Sequence, residues 1–123
     1  MLEIIIFVLV VALDQIVKAL CASWLPALPG QTYPLIEGVF SFTYVENVGA
    51  AFGMLKNMRV LFLITTLLVC GAMVYILIRE HGRMHTLMRV SLALILAGAV
   101  GNFADRLLLG YVRDMFYFEL IDF

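Results

Sequence analysis

Charge is scarce in this chain. Only 14% of its 123 residues are Asp, Glu, Lys or Arg, and the net charge is -1. No basic stripe exists, so nucleic-acid binding is excluded. Cysteine is equally sparse. The two present, Cys21 and Cys70, sit in or beside apolar runs and form neither a disulfide framework nor a metal-type spacing. The three prolines all fall between residues 26 and 34, so the rest of the chain is free of helix-breaking rings. No Ser/His/Asp or Cys/His set is visible, and no glycine pattern follows a strand to open a helix, so there is no nucleotide loop. His81 and His85 are four apart, but Gly82 stands where the zinc-protease pattern needs Glu. Both read as solvated histidines, and no metal or organic cofactor is implied.

What the chain has is apolar surface. It is 64% hydrophobic with a mean hydropathy of +1.06, against about 45–50% apolar in soluble domains. An integral membrane protein follows, and the length allows a single domain, 1–123. Three segments are apolar enough to cross a bilayer: Leu2 to Ala22, Val60 to Ile78, and Val90 to Ala104, the last extendable to Leu109. The first lacks a basic leader and carries Asp14 and Lys18, which argues against a cleaved signal peptide. Nor is Cys21 a lipidation site, because Leu20 before it is not small. Between spans one and two, residues 23–58 hold "FSFTYVEN", an alternating, aromatic-rich strand pattern. The loop "REHGRMHTLMR" carries Arg79, Arg83 and Arg89 against Glu80, which makes it cytoplasmic. The N-terminus is then cytoplasmic. Residues 23–58 and everything after Ala104 are extracytoplasmic, with Lys56 and Arg59 offset there by Glu37 and Glu46.

This topology groups the unusual polar residues. Asp14 and Lys18 lie one helical turn apart at the outer end of span one. Asn102, Asp105 and Arg106 share a face at the outer end of span three. Glu46 and Asn47 lie in the outer loop and Asp114 just past span three. Ionisable residues near a span face partners or a wet cavity, so a site at the outer membrane face is expected. Blander roles stand beside it. Asp14 and Lys18 form an insertion ion pair equally well, Arg106 can snorkel to headgroups, and Asp105 can be its solvated neighbour. "GAAFG" (Gly49 to Gly53) and Ala97, Gly98 and Gly101 read as small-residue packing contacts. Tyr111, Phe116, Tyr117 and Phe118 read as an interfacial belt. The chemistry left is that of carboxylates: a pair shares one proton, one acting as base on water and the other as acid. Asp114's partner is not named by these patterns.

"DQIVK" (Asp14 to Lys18), "VENVGAAFG" (Val45 to Gly53), "GAVGNFADR" (Gly98 to Arg106) and "GYVRDMF" (Gly110 to Phe116) together resemble the successive blocks of lipoprotein signal peptidase, the signal peptidase II family of aspartic membrane endopeptidases. The resemblance implies an all-α membrane protein, a helical bundle of four spans with a small extracytoplasmic β-cradle, in the bacterial inner membrane. It implies a prolipoprotein substrate cut before a diacylglyceryl-modified cysteine, within the lipid bilayer, by a monomer. By the same resemblance Asp114 is one catalytic aspartate. Asp14, Lys18, Asn47, Gly49, Asn102, Asp105 and Arg106 support the site or the substrate backbone, with Lys18 and Asp14 fixing span one against the cradle. The family's second aspartate lies in an "FNxAD" block opening span four, which this sequence does not contain. Asp122, in "ELIDF", does not match it. The expectation is a C-terminally truncated copy with three spans, inactive by itself. The alternatives are a non-catalytic binder of lipidated peptides and a remnant without activity. A channel or transporter is disfavoured by the few spans and the lack of an internal repeat.

Overall fold

The computed structural model describes residues 1–49 and 55–118, apart from the side chain of Phe118. Three long helices form where the apolar runs predict them. Helix α1 spans Leu2–Trp24, α2 spans Arg59–Glu80 and α3 spans Thr86–Leu108. Each is long and apolar enough to cross a membrane. The helices outrun the expected segments by a few residues, because polar residues such as Arg59 and Thr86 can sit at the wet ends of a span. Helix α3 lies centrally and packs against both α1 and α2. The small side chains on one stripe of α3 make the approach to α1 close: Ala93, Ala97 and Gly101 are buried at intervals of four. A Cβ on Gly101 would run into the Asp14 carboxylate, with Asp14 Cγ only 2.9 Å away. Gly98, expected to pack as well, faces open space. Helix α2 has no buried residue, and its Leu67, Leu68 and Ile78 are among many large exposed apolar side chains. Apolar cover of that extent belongs against lipid.

Past Trp24 the chain makes short 3₁₀ turns at Leu25–Ala27 and Pro29–Gln31, where the prolines end α1. Strand β1 (Thr32–Ile36) and strand β2 (Phe40–Asn47) then form a hairpin. The alternating segment is thus a strand as predicted. A third strand, β3 (Val112–Phe118), completes an antiparallel sheet in the order β1-β2-β3. The residues read as an aromatic belt therefore lie, from Phe116 on, in this strand. Phe116 stacks on Phe40 at 6.1 Å and meets Phe42 at a tilt, with centroids 5.9 Å apart. The turn from α3 into β3 depends on Gly110, at φ +89°, whose N–H donates to the Arg106 carbonyl at 3.1 Å. A left-handed residue there stops the helix and sends β3 back across its end. Across the β2–β3 pair, Val45 faces Asp114, Glu46 faces Arg113 and Asn47 faces Val112, with an irregularity between Phe42 and Val45. Val112 and Met115 of β3 are buried.

At the opposite end of the bundle Glu3 accepts from Arg89 at 2.5 Å and contacts His81 at 3.1 Å. His81 is solvent-exposed, as expected, and also reaches the start of α1.

Candidate functional site

The end of α1, the end of α3 and the β2–β3 pair meet at one place, and the polar residues expected to converge do so. Lys18 is buried, with 4% of its surface exposed. Its ammonium donates to Asn102 Oδ1 at 2.9 Å and pairs with Asp14 Oδ2 at 3.0 Å and Asp105 Oδ2 at 3.6 Å. The Asp14–Lys18 pair thus ties α1 to α3. A lysine can be buried here because three oxygen partners replace its water.

Asp105 is 1% exposed, so it is not the solvated neighbour of Arg106. Helix α3 presents it beneath the start of β3. Its Oδ1 accepts from Arg113 NH2 at 2.8 Å, and its Oδ2 from Arg113 Nε at 3.2 Å and from the Arg113 backbone N–H at 3.0 Å. Gln15 Nε2 adds a donor at 3.3 Å while also reaching Asp14 Oδ2 and the Gly101 carbonyl. Gln15 Oε1 in turn accepts from Arg113 at 2.9 Å. Bonding to Asp105 pushes the Arg113 guanidinium still higher in proton affinity.

Arg106 does not snorkel. Its guanidinium lies 4.7 Å over the Phe62 ring and donates to the Gly49 carbonyl at 3.4 Å. Arg59, opening α2, donates from Nε to the Arg106 carbonyl at 2.6 Å and from its NH2 to the Leu107 carbonyl. Gly49 is buried, and its N–H donates to Asn47 Oδ1 at 2.8 Å. The rest of the "GAAFG" stretch, with Gly53, lies outside the described residues, and so does Asp122.

Asp114 stands on β3 opposite Val45, half-buried, with Asn47 hydrogen-bonded to its carboxyl. Burial pushes that carboxyl above the ordinary range. The Asn47 bond and the positive charges of Lys18 and Arg106 pull the other way, and the negative charge of Asp105 pushes it up again. The net result is an acid that holds its proton more tightly than a solvated aspartate does. The arrangement sets a carboxyl of raised proton affinity beside amide and guanidinium donors, at the rim of an apolar bundle.

Two members of this cluster, Gln15 and Arg113, escaped the sequence patterns. Gln15 was legible as a third polar residue on the Asp14–Lys18 face. Arg113 becomes legible only once 112–118 is known to be a strand that returns over α3.

Residues 6–123 match the family described as signal peptidase (SPase) II. The chain belongs to the signal peptidase II family. It is 43% identical over 118 residues to the lipoprotein signal peptidase of Caldanaerobacter subterraneus subsp. tengcongensis, covering 96% of this chain and 79% of that one. It is 40% identical over 116 residues to the lipoprotein signal peptidase of Streptococcus pyogenes serotype M5, covering 94% and 74%. A solved bacterial membrane enzyme, obtained by the in meso method, superposes with a TM-score of 0.83 at 34% identity over 94% of this chain and 69% of that one. A second such enzyme superposes with a TM-score of 0.79 at 34% identity, covering 96% and 74%. Signal peptidase II is a protease family. With the three apolar helices, this makes the chain an integral membrane protein of that family.

Proposed function

We propose that this member of the signal peptidase II family is an aspartic endopeptidase that removes signal peptides from bacterial prolipoproteins, cutting before a diacylglyceryl-modified cysteine. The supporting observation is Asp114: a half-buried carboxyl of raised proton affinity, bonded to Asn47 and flanked by Lys18 and Arg106. In the proposed reaction Asp114 and a second carboxylate share one proton. The ionised member takes a proton from water as the water attacks the scissile carbonyl, and the protonated member delivers its proton to the leaving nitrogen. Asp105 is a poor second member, since Arg113 engages both its oxygens. A dyad therefore needs a carboxylate other than Asp105, and without one this protein should cleave little or not at all. It should still hold a diacylated peptide through Asn47, Asn102 and Arg106. Asn102 turns its carbonyl to Lys18, which leaves its amide nitrogen to donate to a peptide carbonyl. Gly49 lets a backbone pass close by, and Asp14 and Lys18 hold α1 in place beneath.

Residues 1–123 act in this reading as one monomeric peptidase domain in the bacterial inner membrane, with 23–58 outside. Arg79, Arg83 and Arg89 at the α2–α3 turn support a cytoplasmic position for that turn and an outer-face position for the Asp114 site. Asp114→Asn in the enzyme expressed from its complete reading frame should abolish cleavage of a diacylglyceryl-prolipoprotein with membrane insertion unchanged. Retained cleavage refutes the assignment. For topology, a cysteine placed at His85 should react with thiol reagents only after the membrane is opened. Labelling from outside intact cells overturns the orientation.

A further inference from the structure

Side chains alternate across a strand, so Arg113 and Asp114 leave β3 on opposite faces. Arg113 goes down into the bundle. Its guanidinium forks over Asp105, at 2.8 Å and 3.2 Å, and its own backbone N–H binds the same carboxylate at 3.0 Å. The third attachment, to Gln15 Oε1 at 2.9 Å, joins it to α1. The residue immediately before Asp114 is thus held by both side chain and backbone to α3, and by its side chain to α1.

The charges around Asp114 give the same residue a second role. From α1 Lys18 faces it, from α3 both Asp105 and Arg106, and from β2 the uncharged Asn47. Glu46, across the strand pair from Arg113, gives its carboxylate to Tyr44 at 3.0 Å instead. Asp105 is the one negative charge among those facing groups, and it is the charge on which Arg113 sits.

We infer that Arg113 is a positioning residue for Asp114: it pins β3 to α3 and α1, and it offsets the Asp105 charge that Asp114 faces. The inference rests on the reading of Asp114 as a reacting carboxylate. Its fork geometry is that of guanidinium, which lysine does not reproduce.

The test compares Arg113→Gln, Arg113→Lys and Asp114→Asn in the enzyme from its complete reading frame, in lipid, with a diacylglyceryl-prolipoprotein and a series of pH values. Arg113→Gln should lower kcat about tenfold or more with KM within about twofold. It should also move the pH limb that reports Asp114 upward by about one unit. Arg113→Lys keeps the charge and loses the fork, so the limb should stay in place while kcat is only partly restored. Wild-type kcat with an unmoved limb in Arg113→Gln overturns the inference, and if that variant does not fold, wild-type kcat in Arg113→Lys does so. Those results with an inactive Asp114→Asn leave the proposed function standing. Cleavage by Asp114→Asn overturns both.

Discussion

Replacing Asp105 by Asn should cost this protein more stability than any other single exchange of one polar atom. The carboxylate is 1% exposed and takes two guanidinium bonds, one backbone bond and a bond from Gln15, with Lys18 at 3.6 Å. Asparagine retains one acceptor but turns an NH2 toward donors and leaves Arg113 and Lys18 without a shared counter-charge. Removing one partner of a buried pair costs about 3–5 kcal/mol. A chain of this size loses several degrees of Tm per kcal/mol, so a fall of about 10 °C or more is expected. The two free cysteines, Cys21 and Cys70, are each partly buried. A thiol-reactive fluorogenic dye in mild detergent can therefore follow unfolding by labelling these cysteines as they become exposed. The double variant Asp105→Asn/Arg113→Gln should lose at least about 1 kcal/mol less than the two single losses added together. A Tm within about 2 °C of wild type for Asp105→Asn, or strict additivity in the double variant, refutes the claim that this network holds the strand to the bundle.

Gly101→Ala should force α1 and α3 apart, because its Cβ has no room beside Asp14. A lowered Tm and lost activity are expected, and wild-type values for both would contradict the close approach. Asp114 carries a folded-state pKa above its unfolded value. The folded state therefore binds the proton more tightly, and stability falls as pH rises from the unfolded pKa through the folded one. Asp114→Asn should be the more stable protein above that window, with the advantage shrinking as pH drops into it; a pH-independent difference in Tm would contradict the raised proton affinity. Arg59→Gln should free the last carbonyls of α3 at a cost within about 1 kcal/mol. It should also speed amide exchange at Leu109 and Gly110, and unchanged exchange there argues against the clasp.

The three spans were legible because lipid demands long apolar helices, and the run lengths leave little choice. Convergence of Asp14, Lys18, Asn102, Asp105 and Arg106 followed from orientation alone, since charge at a span end must face something polar. The partners within the cluster were not legible. Asp105 reads equally well as a solvated neighbour of Arg106 until β3 returns and lays Arg113 over it. That return was hidden because "VRDMFYF" shows no strict apolar–polar alternation, and its aromatics suit an interface as well as a strand. The strand is decided by its pairing to β2, a contact between segments with two whole spans between them. Gly98 was misjudged for a related reason. A small residue permits close packing, but only the helix phase decides which glycine meets the neighbour, and it is Gly101.

That pairing of β2 with β3 also sets a timetable. Asn47 is made before α2 and α3, and Asp114 after them, yet Asn47 caps the Asp114 carboxyl. During synthesis β2 must wait at the membrane surface with one edge bare until both later helices have inserted and β3 has turned back over Gly110. Closing so long a loop is slow, and a waiting strand edge is open to wrong partners. The Asp114 surroundings, and the proton affinity they create, therefore come into being only once the bundle is complete. Any chemistry at Asp114 stays switched off while the nascent chain is still threading through the membrane.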